Sequence, residues 1–124
     1  MCGSCLHSPL PGAENAAAAR IYVCPSGDDA GPGTRMMPFR TVHRAQLAAR
    51  EAMRQRRGHV VVELGAGSYP MDRPLTLTDE DAGAPDATVT YRSADGIGKA
   101  RLLGSVPVVG WEEDRDGIWR TSLP

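Results

Sequence analysis

Aromatic residues are scarce, at 5% of the 124-residue chain: one Phe, three Tyr and two Trp. Each is therefore at least as good a candidate for the core as for a ligand platform. No apolar run approaches the roughly 18 residues that a transmembrane helix needs. An excess of either charge is also missing, since 14 basic and 15 acidic residues leave a net charge of -1. That balance excludes a broad field drawing nucleic acid or an anionic membrane, and it lends no support to a polyanionic substrate. The three cysteines cannot all pair within the chain. Cys2 and Cys5 form a CxxC with only His7 nearby, less than a zinc site requires. A redox CxxC opens a helix after a strand, whereas this one lies in the leader, where incidental thiols are the simpler reading. Cys24 reads as a small buried residue. His7, His43 and His59 are scattered, with no metal spacing and no Ser-His-Asp order.

A complete export signal is lacking too. Residues 1–20 are small and polar and end in Ala16-Ala-Ala-Ala19, like the small-residue side of a cleavage site. The charged start and apolar stretch that should precede it are missing. The chain thus divides into residues 1–20, a leader or remnant of an export signal expected to be disordered over 1–19, and residues 21–124, one domain at most.

What the chain has in quantity is turn chemistry. Its 14 Gly and 10 Pro are spread between short apolar runs, which implies many turns rather than collagen. Ile21-Tyr-Val-Cys24 reads as a short strand ended by Pro25. A Gly/Asp/Pro loop follows over 26–40, held compact by Asp28 and Asp29 bonding nearby amides. Thr41 is a good N-cap for a helix running to about Arg57. Val42, Ala45, Ala49, Ala52 and Met53 mark its apolar face. Arg54, Arg56 and Arg57 suit the negative end of its dipole, and Gly58 is a ready stop. The period then changes to 2. Val60–Leu64, Pro74–Thr78, Thr88–Arg92, Arg101–Gly104, Val106–Val109 and Ile118–Thr121 read as strands. Gly65–Pro70 and Asp79–Gly83 read as turns. Gly65-Ala-Gly67 is no dinucleotide loop, because no helix follows it. The pattern is mostly β after one helix, compatible with a sandwich, a barrel or the first coils of a solenoid.

Three segments resolve these alternatives by resemblance. They are Ile21–Val42, then Val60-Val-Val-Glu-Leu-Gly-Ala-Gly-Ser-Tyr-Pro with Pro74-Leu-Thr-Leu-Thr78, then Val89–Ala94 with Leu102-Leu-Gly104, Val109-Gly-Trp111 and Gly117-Ile-Trp119…Leu123-Pro124. In this order they resemble the start of right-handed parallel β-helix carbohydrate-active proteins of the pectate-lyase-like superfamily, in particular fucosidase/xylanase-type and β-xylosidase-type glycoside hydrolases. The resemblance covers residues 21–124; Asp95–Ala100 departs from the family's usual charged turn. It implies an N-terminal capping helix plus the first coils of a parallel β-helix, a truncated solenoid, in a secreted or cell-envelope protein. It also implies that catalytic coils, and often an inserted β-domain, lie outside this sequence. A glycan-binding or adhesion module and a polysaccharide lyase fragment are the alternative readings.

The chemistry within the sequence is sparse. Glycoside hydrolysis needs two carboxyl groups across one bond, about 5–5.5 Å apart for retention and about 6.5–9.5 Å for inversion. Only Glu63 lies within a convincing strand, opposite the Val60/Val62/Leu64 face, and it reads as a solvated strand residue. No family catalytic acid maps onto the chain, so no catalytic residue is assigned. Asp79, Glu80 and Asp81 have the oxygen density that Ca²⁺ favours, but a solvated turn with the outline of a capping box at Thr78/Asp81 is the simpler reading. Asp28 and Asp29 stand similarly. Trp111 is the candidate sugar contact, with Trp119 and Tyr69 behind it. The partner expected is a polysaccharide or oligosaccharide, reached through coils beyond this sequence.

Overall fold

The computed structural model describes residues 18–55, 58–83 and 85–123. The elements in chain order are β1 (Ala19–Val23), α1 (Val42–Arg54), β2 (Val60–Leu64), β3 (Gly67–Pro70), a 3-10 turn (Asp79–Asp81), β4 (Val89–Ser93), β5 (Ala100–Leu103), β6 (Glu112–Arg115) and β7 (Ile118–Arg120). The strands form three small sheets, ordered β1-β2-β4, β3-β5 and β6-β7. The first two are parallel and the third is antiparallel.

Parallel neighbours cannot be joined by a tight turn, so long connections separate them. The connection from β1 to β2 carries α1. Alternation along each strand puts Ile21, Val62 and Tyr91 side by side on one face, and Val23 beside Leu64. α1 lays Val42, Ala45 and Ala49 against this face, all buried. Alanine at two of those positions lets the helix approach closely. Tyr69 comes up from β3 into the same core, 3% exposed. Its hydroxyl donates to the Val23 and Gly65 carbonyls at 3.1 and 2.7 Å, tying the first sheet to the corner before β3.

The outer edge of β1 is covered by the loop that follows it. Tyr22 N donates to Gly33 O at 2.9 Å, Phe39 N donates to Tyr22 O at 2.9 Å, and Cys24 N donates to Phe39 O at 2.8 Å. Gly33 sits at φ 72 with the Phe39 ring where a β-carbon would stand, so both the backbone angle and the space demand glycine. Asp29 closes the loop onto α1. Its Oδ1 accepts from Arg40 N and Thr41 N, both at 2.8 Å, and its Oδ2 accepts from the Thr41 hydroxyl at 2.7 Å.

The helix begins where its cap dictates: Thr41 Oγ1 accepts from Arg44 N at 3.2 Å. It ends at Arg54, a turn short of the expected Arg57, and residues 56 and 57 lie outside the described residues. The expected disorder of 1–19 and the Cys2/Cys5 pair also fall there, apart from Ala18 and Ala19. β1 starts at Ala19, two residues earlier than the apolar run suggests, because Ala19 N donates to His59 O and Ala19 pairs with Val60.

Four strand assignments need correction. Pro74–Thr78 and Val106–Val109 form no ladder. Within Gly65–Pro70, read as a turn, residues Gly67–Pro70 are the strand β3, paired to β5. Glu112–Arg115, unassigned in sequence, is β6, closed against β7 through Asp116 (φ 48) and Gly117 (φ 80). Two successive positive φ angles make a tight hairpin turn that matches strand twist, the Asp-Gly signature. Cys24, read as a small buried residue, is fully buried.

Candidate functional site

Three places hold the chemistry-bearing residues: the outer face of the first sheet, the acidic turn, and the β6-β7 hairpin.

On the outer face, register places Tyr22, Glu63 and Arg92 in one row across β1, β2 and β4. Glu63 is 3% exposed, so the reading of a solvated strand carboxylate is overturned. Its Oε1 accepts from Arg20 at 3.0 Å and from the Arg92 Nη2 at 2.6 Å, while the Arg92 Nε reaches both oxygens at 3.2 and 3.1 Å. Two guanidinium groups cover the carboxylate and supply its hydrogen bonds, which is what allows a charge to be buried. A carboxylate so tied is poorly placed to shuttle a proton or attack a sugar. The arrangement cross-links three parallel strands.

In the acidic turn, Thr78 and Asp81 make the complete reciprocal capping box that the sequence outlined. Asp81 also turns toward the helix. It accepts a fork from Arg50, Nε to Oδ1 at 2.9 Å and Nη2 to Oδ2 at 2.7 Å, and a further bond from Gln46 at 3.0 Å. The Arg50 hydrogen bond holds the Asp81 carboxyl far below the usual carboxylate range, outweighing its burial. Gln46 is itself buried and donates also to Thr76 O at 2.8 Å, which anchors the ladder-free 74–78 segment. Calcium at this turn would have to displace Arg50, so the donors do not fit it. Among the described residues, no group of three or more His, Cys, Asp or Glu is placed to share a metal ion. The Asp29 loop is likewise occupied. Burial pushes the Asp29 carboxyl up, but the Thr41 and Arg40 hydrogen bonds outweigh it and hold the group below its ordinary value. An open cavity of about 700 Å³ lies beside the turn, lined by Arg50, Met53, Arg54, Glu80 and Asp86 among others. Its arginines are paired with Glu80, at 3.2 Å from Arg50 and 3.0 Å from Arg54.

The hairpin carries the aromatic candidates. Trp119 is opposite Glu113, and Trp111 immediately precedes β6. They are 54% and 58% exposed for Trp111 and Trp119 respectively. The Trp111 indole N–H donates to Val108 O at 3.0 Å, which fixes one edge of that ring. Tyr69, the third aromatic candidate, is removed from consideration by its burial and its two carbonyl partners. His43 is partly buried, with Nε2 3.2 Å from Pro74 O.

Sequence reasoning missed the Glu63–arginine cluster and the Arg50–Asp81 fork. The first had a signal: an acid inside an apolar strand, with Arg92 in the Thr88–Arg92 run and Arg20 just before the Ile21–Cys24 run. The second had none, because the two residues are joined only by the tertiary fold.

No family model matches the chain, and no curated protein matches it. A solved structure described as a glycoside hydrolase is similar, with a TM-score of 0.70 and 29% sequence identity over 77% of this chain. The match covers 16% of that protein's chain, so the present sequence spans about one sixth of its length. The fold is therefore glycoside-hydrolase-like. No described helix is long and apolar enough to cross a membrane.

Proposed function

We propose that this chain forms the N-terminal cap and first coils of a right-handed parallel β-helix within a secreted or cell-envelope glycoside hydrolase acting on plant or microbial polysaccharide. The observation that carries the reading is the parallel stacking of β1, β2 and β4, repeated in the same chain order by β3 and β5. A path that visits two sheets in turn and stacks each in parallel is the path of a solenoid. The likeness to a glycoside hydrolase over 77% of the chain supports the class. In this reading residues 1–20 are the leader and residues 21–124 the cap and first coils. The role of the segment is structural: α1 and the 33–39 loop shield one end of the stack, and Glu63 serves packing. The catalytic carboxylates belong to coils beyond this sequence. The expected result for the purified chain is no release of nitrophenol from aryl xylosides or aryl fucosides; turnover by the chain alone would refute the proposal.

A second reading, a non-catalytic glycan-binding module, is favoured by one observation, the exposed Trp111 and Trp119 at the β6-β7 hairpin. Indole faces pack on the C–H surface of sugars. Glycan-array binding that is lost on Trp111→Ala would select it.

A further inference from the structure

In the first sheet β2 lies between β1 and β4, whereas in the second β3 has β5 on one side and no strand on the other. The start of α1 and Pro25 stand on that side instead and fill it unevenly. A cavity of about 430 Å³ is left there, lined by Pro25, Arg40, His43, Ser68, Tyr69 and Asp72 among others. Sites for small molecules span about 300–1,000 Å³. Gly67 N donates to Lys99 O at 2.9 Å and Met71 N donates to Leu103 O at 2.8 Å, so the odd-numbered residues around β3 serve β5. Alternation turns the N–H and C=O groups of Ser68 to the other edge, the one that borders the cavity. Pro70, next on that edge, has no N–H, so the edge cannot carry a full ladder. The polar groups here differ from those of the larger cavity beside the acidic turn, where Arg50 and Arg54 are already paired with Glu80. Among the described residues, the Arg40 guanidinium and the Asp72 carboxylate have no hydrogen-bond or ion-pair partner. His43 Nε2 lies 3.2 Å from Pro74 O, a carbonyl that only accepts, so Nε2 carries the hydrogen and Nδ1 is left without a partner among the described residues.

We infer that this cavity is a binding site for a small hydroxylated monocarboxylate, the chemistry of a sugar acid. The inference goes beyond the function proposed above and needs neither the solenoid nor catalysis. The class of ligand follows from which groups are uncommitted. A guanidinium takes a carboxylate through two parallel hydrogen bonds, and the Ser68 N–H is a further donor on the same cavity wall. Asp72 only accepts, and so does Nδ1 of a neutral imidazole, so both call for ligand hydroxyls rather than a second negative charge. Tyr69 and Pro25 offer apolar surface to a carbon skeleton. A neutral sugar would leave Arg40 unpaired, and a phosphate dianion would be opposed by Asp72. A hydroxylated monocarboxylate meets both charges.

Sodium gluconate is the probe, titrated into the 124-residue chain and followed by its amide and imidazole resonances. Saturable shifts are expected at Ser68, Met71 and the His43 ring, with glucose and inorganic phosphate each binding about tenfold more weakly or worse. Arg40→Gln should weaken gluconate about tenfold, the equivalent of one charge-assisted hydrogen bond. Asp72→Asn should weaken gluconate by a similar factor yet strengthen phosphate, because the opposing charge is gone. Arg40 and Asp72 are both exposed, so the melting temperatures of these variants should match that of the parent chain. No saturable shift at millimolar gluconate, shifts confined to the Arg50–Arg54 cavity, glucose or phosphate binding as well as gluconate, or unchanged affinity in Arg40→Gln would each overturn the inference. So would an Asp72→Asn chain in which gluconate and phosphate move together. None of these outcomes touches the assignment to the glycoside hydrolase class, which stands on structural likeness and is tested by the aryl glycoside assay.

Discussion

At Glu63 and Tyr69 a single side chain decides how much of the surrounding structure holds together. Glu63 is buried between Arg20 and Arg92, whose side chains are 24% and 27% exposed. Removing the acid leaves two half-buried cations facing each other across three strands. We expect Glu63→Ala to cost about 3 kcal/mol, the low end for breaking a buried pair, measurable by urea denaturation. A catalytic acid would show the opposite pattern, with activity lost and stability kept or raised. Tyr69→Phe keeps the ring in the core but removes the hydroxyl donor to the Gly65 carbonyl, while the Val23 carbonyl keeps its bond from Gly65 N at 2.9 Å. Its expected cost is about 1–2 kcal/mol, that of one buried acceptor left without its donor. Both roles were partly legible in sequence. An acid inside an apolar strand is an anomaly that calls for partners, and one Tyr among so few aromatics was already a core candidate. Which partners meet Glu63 was not legible, because it depends on strand register.

Among the elements, α1 was the most legible. Thr41, the Val42/Ala45/Ala49 spacing and the glycine after the last basic residues are local signals, and local signals are what a helix needs. The strands were less legible, because a strand is defined by a neighbour that the local sequence does not name. Pro74–Thr78 alternates like a strand, but Gln46 holds it beside the helix through Thr76 O, Arg50 holds the following turn through Asp81, and the segment forms no ladder. That attachment is pH-dependent with a definite sign. The folded-state pKa of Asp81 is depressed, so the Arg50–Asp81 fork contributes stability above the ordinary carboxyl value of 3.8 and loses it as pH falls below that value toward the depressed one. Melting temperature should therefore drop on acidification below about pH 4, and Asp81→Asn should flatten that part of the profile. A variant retaining the full acid slope would show that other carboxyls govern it.

For the molecule as a whole, the distribution of apolar surface is the informative quantity. The buried core joins β1, α1, β2 and Tyr69, whereas Leu102, Val106, Val109, Trp111, Ile118, Trp119 and Leu123 are exposed. Scattered exposed apolar residues are ordinary, and among the described residues seven of the twelve large exposed ones fall within residues 102–123. The parallel sheets and the hairpin are thus unequal in stability. Hydrogen exchange should show the slowest amides in β2, which is flanked by strands on both sides, and the fastest in the fully exposed β6 and β7. Uniform protection across the chain would contradict this ordering.

By itself the sequence determined the helix, its N-cap and the mostly-β character, because each follows from composition or from residues within a few positions of one another. The tertiary structure alone decided which runs are strands, that their pairing is parallel, that Glu63 is buried between arginines and that Asp81 belongs to the helix. Those outcomes depend on residues some thirty to forty positions apart being brought side by side, and pairing at that distance is fixed by how the layers pack, not by any local preference of the chain.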